Sequence, residues 1–105
     1  MNPSEAAKMM EQARVMQERI AEIQTSLNAR RFEAASGGGM VRATVTGVLR
    51  VVAIEIEDAF FKMGDKEMIQ DLAAAAVNAA LVKAQEGAQA EFVRMQQNLT
   101  TGGGF

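Results

Sequence analysis

The chain has 105 residues, of which 49% are hydrophobic and 5% are aromatic, and every aromatic residue is phenylalanine. This length predicts one domain, residues 1–105, and the apolar share excludes a disordered polypeptide. Cysteine and histidine are absent, which excludes disulfides and thiolate metal sites and removes the usual general base near neutral pH. We therefore expect no enzymatic activity, no cofactor, no metal site and no small-molecule ligand.

The formal net charge is −2, from 11 lysines and arginines against 13 aspartates and glutamates. This balance gives no overall attraction to phosphate polymers, so binding of nucleic acid would need a local cluster of cations. No apolar run reaches the roughly 18 residues of a membrane span, and the first residues lack the basic and apolar regions of a signal peptide. We expect a soluble protein that is not secreted and has no membrane partner.

The first organised segment, from about residue 4 to 28, has the periodicity of a helix. Ser4 is a suitable N-cap, and Glu5 in the first turn is favoured by the helix dipole. Apolar residues recur at alternating spacings of four and three, which predicts a heptad seam that packs against another helix. The seam consists of Met9, Ala13, Met16, Ile20, Ile23 and Leu27.

Residues 31–57 have the alternation of three short strands. Short connections between them predict an antiparallel meander with one buried face. The residues that we expect on that face are Phe32 and Ala34 in the first strand, Val41, Ala43 and Val45 in the second, and Val52, Ile54 and Ile56 in the third.

A glycine triplet, residues 37–39, separates the first two strands. Glycine-rich loops bind phosphate when they lead from a strand into a helix and carry a lysine followed by serine or threonine. Here the triplet leads into a strand, and Met40 stands where that lysine would be needed. We therefore interpret the triplet as a hairpin connection and expect no nucleotide site.

The last third of the chain is predicted to be helical. Residues 58–62 form a short turn that places Phe60 and Phe61 on the core. A long helix follows from about residue 65 to 99, with Asp65 as its cap, and residues 100–105 form a flexible tail. The segment from Ala73 to Ala80 is rich in alanine, which gives a smooth surface that another element can approach closely.

The length of the last helix determines the expected architecture. Some 35 residues span roughly 52 Å, whereas a compact domain of about 100 residues has a radius of gyration near 13 Å. The far half of the helix must therefore project, beside an antiparallel first helix. The predicted fold is α+β, in the order αβββα, with projecting helical arms. Such a monomer leaves apolar surface uncovered, which predicts a homodimer. Candidate interface residues are Leu72, Ala73, Ala76, Ala79 and Ala80.

Two stretches of sequence carry a resemblance to a known family. Residues 36–47 are Ser-Gly-Gly-Gly-Met-Val-Arg-Ala-Thr-Val-Thr-Gly, and residues 65–72 are Asp-Lys-Glu-Met-Ile-Gln-Asp-Leu, followed by Ala-Ala-Ala-Ala-Val-Asn-Ala-Ala. With the order of elements, they resemble the YbaB/EbfC nucleoid-associated proteins over nearly the whole chain. The resemblance implies a bacterial or organellar dimer in the cytoplasm, associated with the nucleoid. It also implies projecting helices, likened to tweezers, that bind double-stranded DNA and influence nucleoid organisation and gene expression.

The candidate DNA contacts are cations in two groups. The resemblance favours the arms, where the candidates are Lys8, Arg14, Arg19, Lys83 and Arg94. A second candidate patch on or near the sheet consists of Arg31, Arg42 and Arg50. Glutamates are interspersed along both helices, so an ordinary solvated surface with intrahelical ion pairs is the alternative for each residue. No aromatic residue stands among the cations, so phosphate contact and shape recognition are expected rather than base stacking.

Two other functions are compatible with the sequence. A protein-interaction module could use the helical arms, through the seam and its methionines, to clamp a partner protein. An enzyme would need more than the cluster formed by Glu55, Glu57 and Asp58, because no base, nucleophile or cofactor loop accompanies these carboxylates. Their simpler interpretation is a solvent-facing strand end.

Overall fold

The computed structural model describes residues 2–104, with side chains as far as residue 98, and it confirms the αβββα architecture. The strands form one antiparallel sheet in the order β1-β2-β3. In chain order the elements are α1 (Pro3–Ala29), β1 (Arg31–Ser36), a 3-10 turn (Gly37–Gly39), β2 (Val41–Thr46), β3 (Val51–Ile56), α2 (Asp58–Lys62) and α3 (Lys66–Gly104).

Both long helices begin at side-chain caps. Asn2, rather than the predicted Ser4, caps α1, because its Oδ1 accepts a 2.8 Å hydrogen bond from the Glu5 N–H. Pro3 then occupies the first helical position, where a missing N–H costs nothing. Asp65 caps α3 as predicted, and its Oδ1 accepts a 3.0 Å hydrogen bond from the Met68 N–H.

The core lies between α3 and the inner face of β1 and β2. Val41, Ala43 and Val45 of the central strand are fully buried there, as their alternation predicts. Ala76 and Ala80 of α3 are also fully buried in this cluster. Their small side chains let the helix approach the sheet of its own chain closely, so these two residues lie in the monomer core and not on the surface where we predicted a dimer interface.

The third strand is less covered than its sequence predicts. Val52 is 48% exposed and Ile54 is 46% exposed, whereas Ile56 is half-buried. The reason is geometric: α3 packs along β1 and β2, and β3 lies at the edge of the sheet beyond the width of one helix. In α2, Phe60 is buried but Phe61 is 63% exposed, because consecutive helical positions point about 100° apart.

The far ends of the helices differ from prediction in one respect. Helix α3 continues to Gly104, so residues 100–104 of the predicted flexible tail are helical in the structure. Backbone hydrogen bonds can extend a helix through residues of low propensity when each added residue joins an existing helix. Phe105, the last residue of the predicted tail, lies outside the described residues.

Two glycines join α1 and α3 to the body. The Gly47 N–H donates a 2.9 Å hydrogen bond to the carbonyl oxygen of Leu27, and a β-carbon on Gly47 would lie 2.6 Å from that oxygen. A β-carbon on Gly87 would lie 2.6 Å from the ring of Phe32. Glycine is therefore needed at these two close approaches, where a β-carbon would overlap a neighbouring element.

The helices run antiparallel beyond the sheet and give the molecule an elongated shape. The radius of gyration is 20.6 Å and the principal extents are 72 × 21 × 18 Å, against about 13 Å expected for the radius of gyration of a compact domain of this size. The Arg30 Nη1 atom lies 3.3 Å from Glu91 Oε1 and links the end of α1 to α3. The predicted projecting arms are thus present as the N-terminal part of α1 and the C-terminal part of α3.

Candidate nucleic-acid interface

All eight candidate cations have exposed side chains, but their surroundings differ. A cation attracts phosphate strongly only when no carboxylate of the protein already neutralises its charge. The ion pairs of each candidate therefore indicate which residues are free to contact the phosphates of DNA.

Arg14 is the most fully neutralised of the arm candidates. Its guanidinium forms ion pairs with Glu11 and Glu18, one turn away on either side. The hydrogen bond to Glu11 and the negative charge of Glu18 both raise the pKa of Arg14 above its ordinary value. With two carboxylates around one guanidinium, this ridge of α1 carries a net negative charge.

Arg94 also shares its charge with a carboxylate. Its Nη1 atom lies 3.3 Å from Glu91 Oε1, the same oxygen that Arg30 contacts. The guanidinium of Arg30 lies 4.9 Å from the centre of the Phe32 ring, which holds it against the base of the arms. Glu91 therefore stabilises the junction of the two helices and lowers the local positive charge.

Lys83 belongs to the sheet and not to the arm. Its Nζ donates a 2.9 Å hydrogen bond to the main-chain carbonyl of Glu33 in β1. The side chain of the same Glu33 lies 3.8 Å from Arg42 Nη1, and Arg42 pairs across the sheet with Glu55. Lys83 covers a polar group of an edge strand, and Arg42 lies between two glutamates, so the predicted sheet patch is divided.

Arg31 and Arg50 remain together at the other end of the sheet. Arg31 pairs with Thr46 in the ladder of β1 and β2, and the Thr46 N–H donates a 2.8 Å hydrogen bond to the Arg50 carbonyl on the opposite side. The Arg31 side chain donates to the carbonyl oxygens of Asn28 and Arg30. The two arginines therefore flank Thr46 where α1 meets the sheet.

Four candidates have no carboxylate within ion-pairing distance in the described part of the chain. We call them the unpaired cations: Lys8, Arg19, Arg31 and Arg50. Lys8 and Arg19 are eleven residues apart, which is close to three full turns, so both project from the same side of α1. From Lys8 to the end of α1 is about 30 Å at 1.5 Å per residue, close to the roughly 34–36 Å of one turn of B-DNA.

Arg19 lines an open cleft between the arms. The cleft has a volume of about 410 Å³ and is lined by Arg19, Glu22, Ile23, Glu91, Arg94, Met95 and Asn98. It brings the arm candidates Arg19 and Arg94 together across the two helices. Equal numbers of arginine and glutamate make its lining neutral, so the cleft as a whole has no net attraction for phosphate.

The sequence and the αβββα fold of this chain have counterparts among known proteins. The sequence pattern of the YbaB/EbfC DNA-binding family matches residues 1–99. The chain belongs to this family. The family resemblance that the two sequence stretches indicated is thereby confirmed, and the family is one of DNA-binding proteins without enzymatic activity.

Relatives of the family match at moderate identity and over most of their length. A nucleoid-associated protein of Pelotomaculum thermopropionicum is 39% identical over 99 residues, covering 94% of each chain. The nucleoid-associated protein DP1429 of Desulfotalea psychrophila is 42% identical over 80 residues, covering 76% of each chain. The crystal structure of the uncharacterized protein HP0035 from Helicobacter pylori has the same fold, with a TM-score of 0.73, 22% identity and coverage of 91% and 98% of the two chains.

Some features of this interface could not be found from the sequence. Intrahelical pairing of Arg14 and Arg94 follows from their spacing to glutamates and was one of the alternatives considered. The shift of Lys83 to the sheet depends on where α3 crosses β1, which no local pattern encodes. The proximity of Arg31 and Arg50 depends on strand register.

None of the helices in the described residues has an apolar segment long enough to cross a membrane.

Proposed function

We propose that this protein is a homodimeric, nucleoid-associated protein of the bacterial cytoplasm that contacts the phosphates of double-stranded DNA and influences nucleoid organisation and gene expression. Membership of a DNA-binding family and the names of the relatives support this function. The observation that carries the location of the contacts is the set of unpaired cations. Lys8 and Arg19 lie along one side of α1, and Arg31 and Arg50 lie at its base.

Because the net charge of the chain is −2, its affinity for DNA has to come from the unpaired cations. A surface whose cations are neutralised by carboxylates gains little from releasing counterions, whereas each unpaired cation can replace one condensed ion on DNA. Phosphate contacts of this kind position a protein without specifying sequence. Recognition therefore depends on the shape of the duplex along the arms.

Dimerisation is supported by an apolar surface at the edge of the sheet. We call it the β3 patch: Val51, Val52, Ile54, Phe61 and Met63, whose exposed fractions are 46%, 48%, 46%, 63% and 72%. These residues belong to two consecutive elements, β3 and α2 with its C-cap, and a contiguous exposed apolar surface is typical of an interface. Of the interface residues predicted from sequence, Ala79 is exposed and Leu72 and Ala73 are half-buried, so these three remain accessible to a partner.

Fluorescence anisotropy with two unrelated duplexes at several salt concentrations tests DNA binding. The affinity should fall steeply with salt and should be similar for both sequences, because the contacts are made to phosphate. The location of the contacts is tested with a variant in which Arg19, Arg31 and Arg50 are replaced by alanine. Binding that is unchanged in this variant would contradict the proposed contacts.

The alternative function, a module that clamps a partner protein between the arms, is favoured by one observation. Met9 and Met16 of the predicted seam are 56% and 36% exposed, and exposed methionines suit adaptable apolar contacts. Such a module would show no anisotropy change with either duplex at any salt concentration. The same titration therefore separates the two functions.

A further inference from the structure

The N-terminal part of α1 has an apolar face that the rest of the described chain leaves uncovered. It continues the seam whose later members contact the body: Leu27 is buried, and Ile20 and Ile23 are half-buried. Met9 and Met16, on the same seam, are 56% and 36% exposed. The change from covered to uncovered therefore occurs along one continuous stripe.

The register of α1 against α3 explains where α3 stops covering the apolar stripe of α1. Arg30 is level with Glu91 through their ion pair, and Arg19 and Asn98 line the same cleft. Because antiparallel helices advance in opposite directions, the end of α3 at Gly104 lies level with about residues 13 to 17 of α1. The first ten residues of α1 or so, about 15 Å of helix, extend beyond α3.

We call these first ten residues of α1, which extend beyond α3, the overhang. The residues at the end of α3 cover little of the part of α1 that lies just after the overhang. The last three residues of α3 are Gly102, Gly103 and Gly104, and glycine has no side chain to pack against Met16. The apolar stripe of α1 is therefore longer than the helix that could cover it within one chain.

The ion-paired charges of this part of α1 lie away from the stripe. Glu11, Arg14 and Glu18 form ion pairs with one another along a separate ridge. At the neighbouring heptad positions Gln12 and Gln17 are uncharged, whereas Glu5 and Arg19, at the two ends of the stripe, carry opposite charges. An apolar helical stripe with opposite charges at its two ends suits another such helix better than it suits phosphate.

We propose that the tip stripe, which consists of Met9, Ala13 and Met16, pairs with the same stripe of a second copy of this chain in an antiparallel arrangement. The stripe is nearly complementary to itself on reversal, because Met9 of one copy is placed opposite Met16 of the other and the two Ala13 residues then lie one residue apart at the centre. The small alanine at the centre lets the helices approach, and the flexible methionines fill the remaining space. In this register Glu5 of one copy lies within one residue of the level of Arg19 of the other, so the flanks bring opposite charges together.

The size of this contact predicts that it is weak. Two helical segments of about ten residues bury far less than the roughly 1,200–2,000 Å² of a stable interface. Pairing should therefore form only when copies are concentrated, as when several are bound along DNA. This role rests on the proposed DNA binding, but the pairing itself needs no DNA and can be measured without it.

Sedimentation velocity over a range of concentrations up to the millimolar range tests the pairing. The full chain should show a concentration-dependent increase in its sedimentation coefficient. A variant with Met9→Gln and Met16→Gln should lose this increase and keep its helical circular-dichroism signal, because both side chains are exposed. The matched control is Val93→Gln on α3, an exposed apolar residue (42%) outside the stripe, which should retain the increase. An increase that persists in the double variant would overturn the proposal.

Distances between spin labels test the arrangement independently of the variants. The chain has no cysteine, so Gln12→Cys and Glu5→Cys each give one labelled position per copy. In the antiparallel pair, labels at residue 12 lie about 1.5 Å apart along the helix axis and labels at residue 5 about 22 Å apart. Only the component that grows with concentration is counted, which separates arm pairing from a constant dimer through the β3 patch. Equal short distances at both positions, or no concentration-dependent component, would overturn the proposal.

Discussion

The Gly47 amide nitrogen lies 2.9 Å from the carbonyl oxygen of Leu27 and donates a hydrogen bond to it. Leu27 is the buried residue of α1, so this contact joins the base of the arm to the turn between β2 and β3. A side chain at residue 47 would have to occupy the space of the Leu27 backbone. The position of the arm on the sheet therefore depends on the absence of one methyl group.

This contact makes Gly47→Ala strongly destabilising. The new β-carbon would lie 2.6 Å from the Leu27 oxygen, and backbone atoms cannot yield as a side-chain end can. We expect a loss of about 1–3 kcal/mol in the free energy of unfolding, the usual effect of overpacking, measured by urea denaturation. The neighbouring substitution Val48→Ala, at an exposed position (39%), should change it by about 0.5 kcal/mol or less. Equal effects of the two would contradict the tight joint.

Arg19→Ala and Arg14→Ala should affect DNA binding differently, although both remove one positive charge from α1. Arg14 is already paired with two glutamates, whereas Arg19 has no carboxylate partner in the described residues. In a dimer, Arg19→Ala should reduce the salt slope of binding by up to about 1.8, from two lost contacts of about 0.9 each. Arg14→Ala should reduce it less.

The control for this comparison is Lys62→Ala, which removes an exposed lysine at the α2 end of the molecule. Its change in net charge is the same, but it lies in α2, which follows the end of β3 opposite to the end of the sheet where α1 enters. Fluorescence anisotropy at a series of salt concentrations measures all three variants. A larger loss from Arg14→Ala than from Arg19→Ala would show that the ion pairs open on binding DNA.

The sheet end provides a second matched pair of variants. Arg50→Ala removes a cation beside Arg31, and Arg42→Ala removes one that lies between Glu33 and Glu55. We expect Arg50→Ala to weaken binding at every salt concentration and Arg42→Ala to leave it nearly unchanged, since the two glutamates already compensate Arg42. Weakening by Arg42→Ala alone would move the contact towards the middle of the sheet.

Ile54→Lys tests the β3 patch as the dimer interface. Ile54 is 46% exposed in one chain, so a lysine there is tolerated by the monomer but would be desolvated in the dimer. Sedimentation equilibrium should show a shift from dimer towards an 11.3 kDa monomer. The control Val93→Lys, at another exposed apolar residue, should leave the mass unchanged. A dimer that withstands Ile54→Lys would place the interface elsewhere.

Two adjacent alanines distinguish core from surface on α3. Ala80 is fully buried against the sheet, whereas Ala79 is exposed. Ala80→Leu should destabilise the protein by about 1–3 kcal/mol or more through overpacking. Ala79→Leu should leave the thermal stability of a monomer close to that of the parent chain. A large loss from Ala79→Leu that disappears on dilution would instead assign Ala79 to the dimer interface.

Local sequence patterns predicted the helices and strands of this fold but not which of their apolar faces are buried by a neighbouring element. The alternation Val41-Ala43-Val45 located a buried strand face because period two requires it. The same alternation in Val52 and Ile54 was misleading, since burial also requires a neighbour and α3 is only wide enough for two strands. The alanines of α3 likewise indicated close packing without indicating whether the partner was the same chain or another.

The candidate site was predictable to a similar degree. Exposure of the cations follows from their positions on helix and strand surfaces, and the pairing of Arg14 follows from glutamates three and four residues away. Lys83 was assigned to the arm because its place in the sequence is in the middle of a long helix. Its contact with Glu33 depends on the crossing of α3 over β1, which is a long-range relationship.

In this short chain, the residues that stabilise the fold are different from those at the overhang of α1, which are free to contact a partner. A helix segment of about ten residues without a packed face is marginally stable alone, so its amides should exchange with solvent far faster than those of β2. Because the tip contributes almost nothing to the core, substitutions there can alter what the arm contacts without endangering the fold. The body, in contrast, can tolerate few changes around Gly47 and the buried alanines. Selection can therefore diversify the surface of the arm while the frame that holds it stays constant.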